Sequence, residues 1–258
     1  MSDTNFVFVL LPGLFICILA FVEIGRRIGM RRRLEETDRE RVGLVTVETA
    51  IYGLLALIIA FTFSGAASRF DLRRAQTIQE ANVIGTAYLR LDLLPVAAQA
   101  ALREKFRRYT EARIAVYHVL PDITESNVHA ARATALQNEI WAGAVDALRN
   151  AQPQASLLVL PALNDMIDIT TTRGVTSRTH TPPIILGALI VLTLLCSLLV
   201  GYALAGGKRF SLLLHMVGFA VMMTVTIYVI LDLDHPRAGL IRLDYTDQAL
   251  IDVLAGMK

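Results

Sequence analysis

The chain has 258 residues, of which 54% are apolar and only 19% charged, and its mean hydropathy is +0.51. Soluble domains lie nearer 45–50% apolar and about 25% charged, so the excess points to a membrane. With 25 Lys+Arg against 23 Asp+Glu the formal net charge is +2, too small for a dedicated nucleic-acid binder, and no segment has the low hydropathy and high net charge of a long disordered tail.

Four stretches without Asp, Glu, Lys or Arg approach or exceed the ~20 residues needed to cross a bilayer: Phe6 to Val22, Thr49 to Ser68, Thr179 to Gly207 and Phe210 to Leu231. The first is read as a retained helix. No basic residue precedes it, no small-residue cleavage pattern follows, and Arg26, Arg27, Arg31, Arg32 and Arg33 come directly after. The third and fourth are joined by a short turn around Gly206, Gly207, Lys208 and Arg209, which predicts an antiparallel hairpin. Cys17 and Cys196 sit inside apolar runs and read as small buried hydrophobes.

Between the hairpins, residues 69–178 have helical periodicity. Leu102, Phe106, Tyr109, Val116 and Leu120 share a face, with Arg103, Glu104, Arg107, Arg108 and Glu111 on the remainder. Leu94-Pro95, Leu120-Pro121 and Gln152-Pro153 predict helix ends. Thr124 or Ser126 is expected to cap the next helix, whose apolar face holds Ala131, Leu136, Ile140, Trp141, Val145 and Leu148. The expected fold is therefore an all-α membrane protein: four transmembrane helices in two hairpins with an inserted helical domain. Its divisions are a first hairpin over 1–68, the helical domain over 69–178, a second hairpin over 179–231, and a tail over 232–258 packed on the helical domain.

Seven arginines between Gly25 and Val42 place that loop in the cytoplasm, and with it the middle domain outside. Arg69, Arg73, Arg74, Arg173 and Arg178 give the opposite face a basic edge as well.

No motif for catalysis is present: no GxxxxGK(S/T), HExxH, CxxC or GxSxG. The five histidines share no metal-ligand spacing, and His215 reads as interfacial. An enzyme is not expected, and no cofactor or metal.

Two polar clusters stand out. Arg69, Arg73, Arg74 and Glu80 leave the second membrane helix, either as an electrostatic ring at a pathway mouth or as a snorkelling collar paired locally through Asp71 and Glu80. Asp232, Asp234 and Arg237 follow the fourth helix, with His235 and Pro236 between them. Two helices separate the clusters, so both lie on one side of the membrane and an Asp232 or Asp234 pair with Arg69 or Arg73 is topologically allowed. Within the second helix, Leu54, Leu57, Phe61, Ser64 and Ser68 fall on one face, apolar first and then hydroxyl-bearing, as a hydrophobic gate opening on a polar vestibule requires. An overlapping small-residue face, Gly53, Ala56, Ala60, Ser64 and Ala67, reads equally as helix packing.

The strings LLALIIAFTFSGAASRFDLRRAQTIQEANVIGTAYLRLDLLP and LLVGYALAGGKRFSLLLHMVGFAVMMTVTIYVILDLDHPRAGLIRLD resemble the bestrophin-like membrane proteins of bacteria. A more distant similarity, carried by Phe61, Ala66, Ala67, Ser68, Arg69 and Phe70, extends to bestrophin channels. The resemblance implies a multi-pass protein of the bacterial inner membrane, an oligomeric and by analogy pentameric ion channel, mostly anion-conducting, whose second helix lines an apolar neck. Its implied partners are membrane lipid, further copies of the chain and small inorganic ions, with no nucleic acid. This sequence has Arg69-Phe70-Asp71 where bestrophins have Arg-Trp-Trp, Gly53 at one neck position before Leu57 and Phe61, and only Asp232 and Asp234 in place of an acidic calcium clasp. The resemblance also implies a cytosolic middle domain, opposite to the arginine reading. The alternative function is a non-conducting scaffold or sensor that binds a partner through the helix bearing Trp141.

Overall fold

Proline sets many of the helix boundaries. In the computed structural model the helices are α1 (Asp3–Arg32), α2 (Asp38–Leu89), α3 (Val96–His118), α4 (Ile123–Leu148), α5 (Pro153–Arg178), α6 (Pro183–Ala203), α7 (Arg209–Asp234) and α8 (Asp244–Gly256), with one 3-10 turn over Arg90–Leu93. The structure describes the backbone of residues 3–32, 38–120, 122–205, 209–237 and 239–257, and within these the side chains outside 3–9, 32, 38–42 and 209–212. Arg33, the expected break at Pro121 and the expected turn at Gly206, Gly207 and Lys208 lie outside the described residues.

Leu94 is extended at ψ 159°, as the residue before Pro95 must be, and α3 begins directly after that proline. Gln152 is extended before Pro153, which opens α5 at its first position. The cap of α4 differs from expectation. Asp122 accepts the Glu125 amide at 3.0 Å, while Ser126 is buried and donates to the Val116 carbonyl at 2.9 Å. A second difference is α2, which runs unbroken through the arginines at 69–74 to Leu89. Charge changes the solvent a helix face prefers, but without proline or a glycine cap nothing ends the helix there.

Among the described residues three helices, α2, α6 and α7, carry windows long and apolar enough to cross a membrane. α1 holds the first apolar run within its 30 residues.

The chain divides into two compact units, residues 1–69 with 180–235, and residues 70–179 with 236–258. In the first unit α1 packs along α6 and, less extensively, against α7. Gly25 and Gly29 on α1 face α6 so closely that a Cβ on Gly25 would lie 1.9 Å from the Leu198 carbonyl oxygen, and one on Gly201 of α6 would lie 1.9 Å from that of Val22. This is a small-residue backbone contact of the kind that holds helices together in lipid, where apolar burial supplies little drive.

The second unit has an ordinary hydrophobic core. Ile84 of α2, Leu102, Phe106 and Tyr109 of α3, Ile140 of α4, Leu163 and Met166 of α5 and Leu250 of α8 are buried together. Each large aliphatic or phenyl group contributes about 1.5–3 kcal/mol through burial. The face of α4 is rotated from the expected one: Ala133, Leu136, Gln137, Ile140, Ala144 and Ala147 are buried, whereas Ala131 and Val145 are exposed. Trp141 is half-buried against this core.

Candidate functional site

On α2 the buried positions Leu55, Thr62 and Ala66 form one stripe, continued by Arg73, Thr77, Glu80 and Ile84. Leu54, Leu57, Phe61, Ser64 and Ser68 lie off that stripe and are all exposed, Phe61 at 69%. The small-residue face is open too, since Gly53, Ala56 and Ala60 are exposed and a Cβ on Gly53 would meet nothing within 4 Å. Only 6% of the apolar window of α2 is buried within the chain, against 28% for the window on α6 and 22% for that on α7.

At the end of this face Arg69 donates from Nε to Asp234 Oδ1 at 2.7 Å and from Nη2 to the Thr181 hydroxyl. Asp234 Oδ2 accepts the Thr181 amide at 2.7 Å. Asp234 ends α7 and Thr181 precedes α6, so one buried carboxylate fastens α2 to both ends of the α6–α7 pair. The rings of His180 and His235 stack beside it, with centroids 4.5 Å apart and planes 7° from parallel. Asp232 is buried on the same turn of α7.

The other residues of the two sequence clusters go elsewhere. Arg73 is buried and donates to the Thr179 carbonyl at 2.8 Å. Arg74 is exposed, with its guanidinium 5.5 Å from the Tyr245 ring centroid. Arg237, grouped by sequence with Asp232 and Asp234, instead holds both oxygens of Asp247 at 2.9 Å. The grouping fails because the chain passes from one unit to the other at His235-Pro236.

Glu80, expected beside the arginines at the mouth, is fully buried in the second unit. Arg113 Nε of α3 donates to one of its oxygens at 2.5 Å, and Arg173 Nη1 of α5 donates to the other. Burial alone would raise its pKa, but the two guanidiniums outweigh that and hold the carboxyl below the usual glutamate range. Arg173, Arg237 and Arg113 also crowd the Tyr117 ring, Arg173 at 4.0 Å from its centroid. Burial pushes the Tyr117 phenol up, keeping it a neutral donor. The cluster joins four parts of the second unit, and Glu80 is the shared acceptor of two of them.

A family model described as Bestrophin-like domain matches residues 13–247. The fold is similar to crystal structures of a bacterial bestrophin homologue from Klebsiella pneumoniae. One point variant aligns with a TM-score of 0.67 at 15% identity, covering 95% of this chain and 98% of its own. Another aligns with a TM-score of 0.67 at 14% identity, covering 96% and 98%. A further crystal structure, of a membrane protein, has a TM-score of 0.67 at 16% identity, covering 95% and 97%. No curated protein gives a significant match.

Proposed function

The chain belongs to the bestrophin-like family, and from that premise we propose that it is a four-span membrane ion channel built from several copies, with α2 of each copy lining a shared pore. The observation that carries this reading is the nearly unburied apolar window of α2. A helix this apolar needs a cover, and lipid alone would not require the ordered change along one face from Leu54, Leu57 and Phe61 to Ser64 and Ser68. Leu57 and Phe61 form the neck in this reading, and Gly53 leaves its first ring wide. The exposed Gly53, Ala56 and Ala60 supply the surface on which the next copy's helix packs. The number five and the preference for anions come from resemblance to bestrophins.

The local charges add little to that preference. Arg69 is neutralised by Asp234 and Arg73 is buried, which leaves Arg74 opposed by the exposed Asp71 near the mouth. A cysteine at Phe61 in a Cys17→Ser, Cys196→Ser background tests the arrangement. Oxidation is expected to link copies through this position in a purified oligomer. A monomer in mild detergent, with no cross-link in liposomes, would remove the shared pore.

A further inference from the structure

His180 lies just before α6 and His235 just after α7, so the out-and-back path of the two helices brings their imidazoles together. With Asp234 they offer three donor atoms, one per residue, all within 4.8 Å of one another. The supporting contacts are as informative as the cluster. His180 Nδ1 lies 3.1 Å from the Asp234 carbonyl and His235 Nδ1 lies 3.1 Å from the Leu231 carbonyl. A ring nitrogen bonded to a carbonyl must carry the hydrogen, so each neutral ring keeps its lone pair on Nε2. Asp234 in turn is held by Arg69 on Oδ1 and the Thr181 amide on Oδ2. Imidazoles tied to carbonyls through Nδ1–H and a carboxylate oriented by outer donors are the supporting shell that metal ligands use.

We infer that His180, Asp234 and His235 bind one divalent ion of the zinc class at this end of α6 and α7. Two imidazoles and one carboxylate suit zinc or its transition-metal neighbours, whereas calcium and magnesium take oxygen sets. Asp234, with the buried Asp232 nearby, supplies the negative charge that offsets Arg69. Zinc bonds of about 2.0–2.1 Å bring donors closer than the stacked rings stand, so the three side chains close on the ion as it binds. His180 is the more exposed of the two, and water completes four ligands. The bound ion would tie the start of α6 to the end of α7, next to the contact that Arg69 of α2 makes with Asp234. This inference stands independently of ion conduction.

The test uses the full chain, purified in detergent without a histidine tag, with Co2+ as a visible probe and Zn2+ as competitor. Expected are one saturable Co2+ per chain with four-coordinate ligand-field bands, displacement by Zn2+, and none by excess Ca2+. His180→Ala and His235→Ala should each weaken binding by roughly tenfold or more, and His129→Ala should not. Should the alanine variants fold poorly, diethylpyrocarbonate footprinting of the unaltered protein gives the same answer: Zn2+ protects His180 and His235 but leaves His118 reactive. Absence of saturable binding, retained binding in the double variant, displacement by Ca2+, or no protection would each overturn the site.

Discussion

Arg69 Nε and Asp234 Oδ1 meet at 2.7 Å, joining α2 to the last residue of α7, with the Asp234 side chain 4% exposed and that of Arg69 22%. Removing one partner leaves a largely buried charge without its counter-ion, a loss on the order of 3 kcal/mol. Asp234→Asn and Arg69→Gln should therefore each lower the melting temperature of the detergent-purified protein, and the double variant should lose less than the sum. Strict additivity in that cycle would show that the contact contributes nothing.

Glu80 gives a pH signature. Its carboxyl is held below the ordinary glutamate range in the folded chain, so its contribution is fully present above the unfolded value of about 4.3 and is lost as pH falls through the lower folded value. Trp141 is the single tryptophan and packs on the same core, so its fluorescence reports unfolding of this unit. The unaltered protein should lose stability on acidification in that window. Glu80→Gln should be less stable at neutral pH and show a shallower acid dependence, the two curves approaching each other in acid. Parallel curves would mean that Glu80 does not set the slope.

The parts of this fold that were legible in the sequence are those written in local chemistry. The α3 face is an example: Leu102, Phe106, Tyr109 and Val116 are buried where the 3.6-residue period puts them. Periodicity misplaced the α4 face because small residues decide it. Ala133, Ala144 and Ala147 are buried, and a Cβ on Gly143 would come within 3.0 Å of Leu102, so volume and not hydropathy selects the contact. The partners of Glu80 were not legible, because Arg113 and Arg173 approach from other helices far along the chain. His180 and His235 were legible in principle. An antiparallel pair of helices must bring the residue before the first beside the residue after the second, a relation that ligand spacing along the sequence does not reveal.

The contact of α1 with α6 predicts unequal glycines within one helix. Gly25→Ala places a methyl group on the Leu198 carbonyl, whereas Gly13 has nothing within 4 Å of its Cβ position. Gly13→Ala should be neutral or slightly stabilising through helix propensity. Gly25→Ala and Gly201→Ala should lower the melting temperature by several degrees and reduce the yield of folded protein. Equal behaviour of Gly13 and Gly25 would contradict the close packing.

The four-span topology predicts that the middle domain and the far end of α6 face opposite sides of the membrane. In the cysteine-free background, Val128→Cys, which is 65% exposed, and Ala203→Cys at the last turn of α6 should react with an impermeant maleimide from opposite faces of the membrane. Labelling of both from one face would require a different number of crossings. Whichever side labels Val128→Cys also decides between the arginine-based orientation and the cytosolic placement implied by bestrophins.

Chloride flux into liposomes carrying the purified oligomer tests the central claim most directly, measured for the unaltered chain and for Phe61→Ala. Shortening the most exposed side chain of the proposed neck should widen the narrowest apolar ring and raise the flux severalfold, while Leu213→Ala, exposed on α7, leaves it unchanged. A well-folded oligomer that passes no ions, and still passes none with Phe61→Ala, would contradict a pore lined by α2.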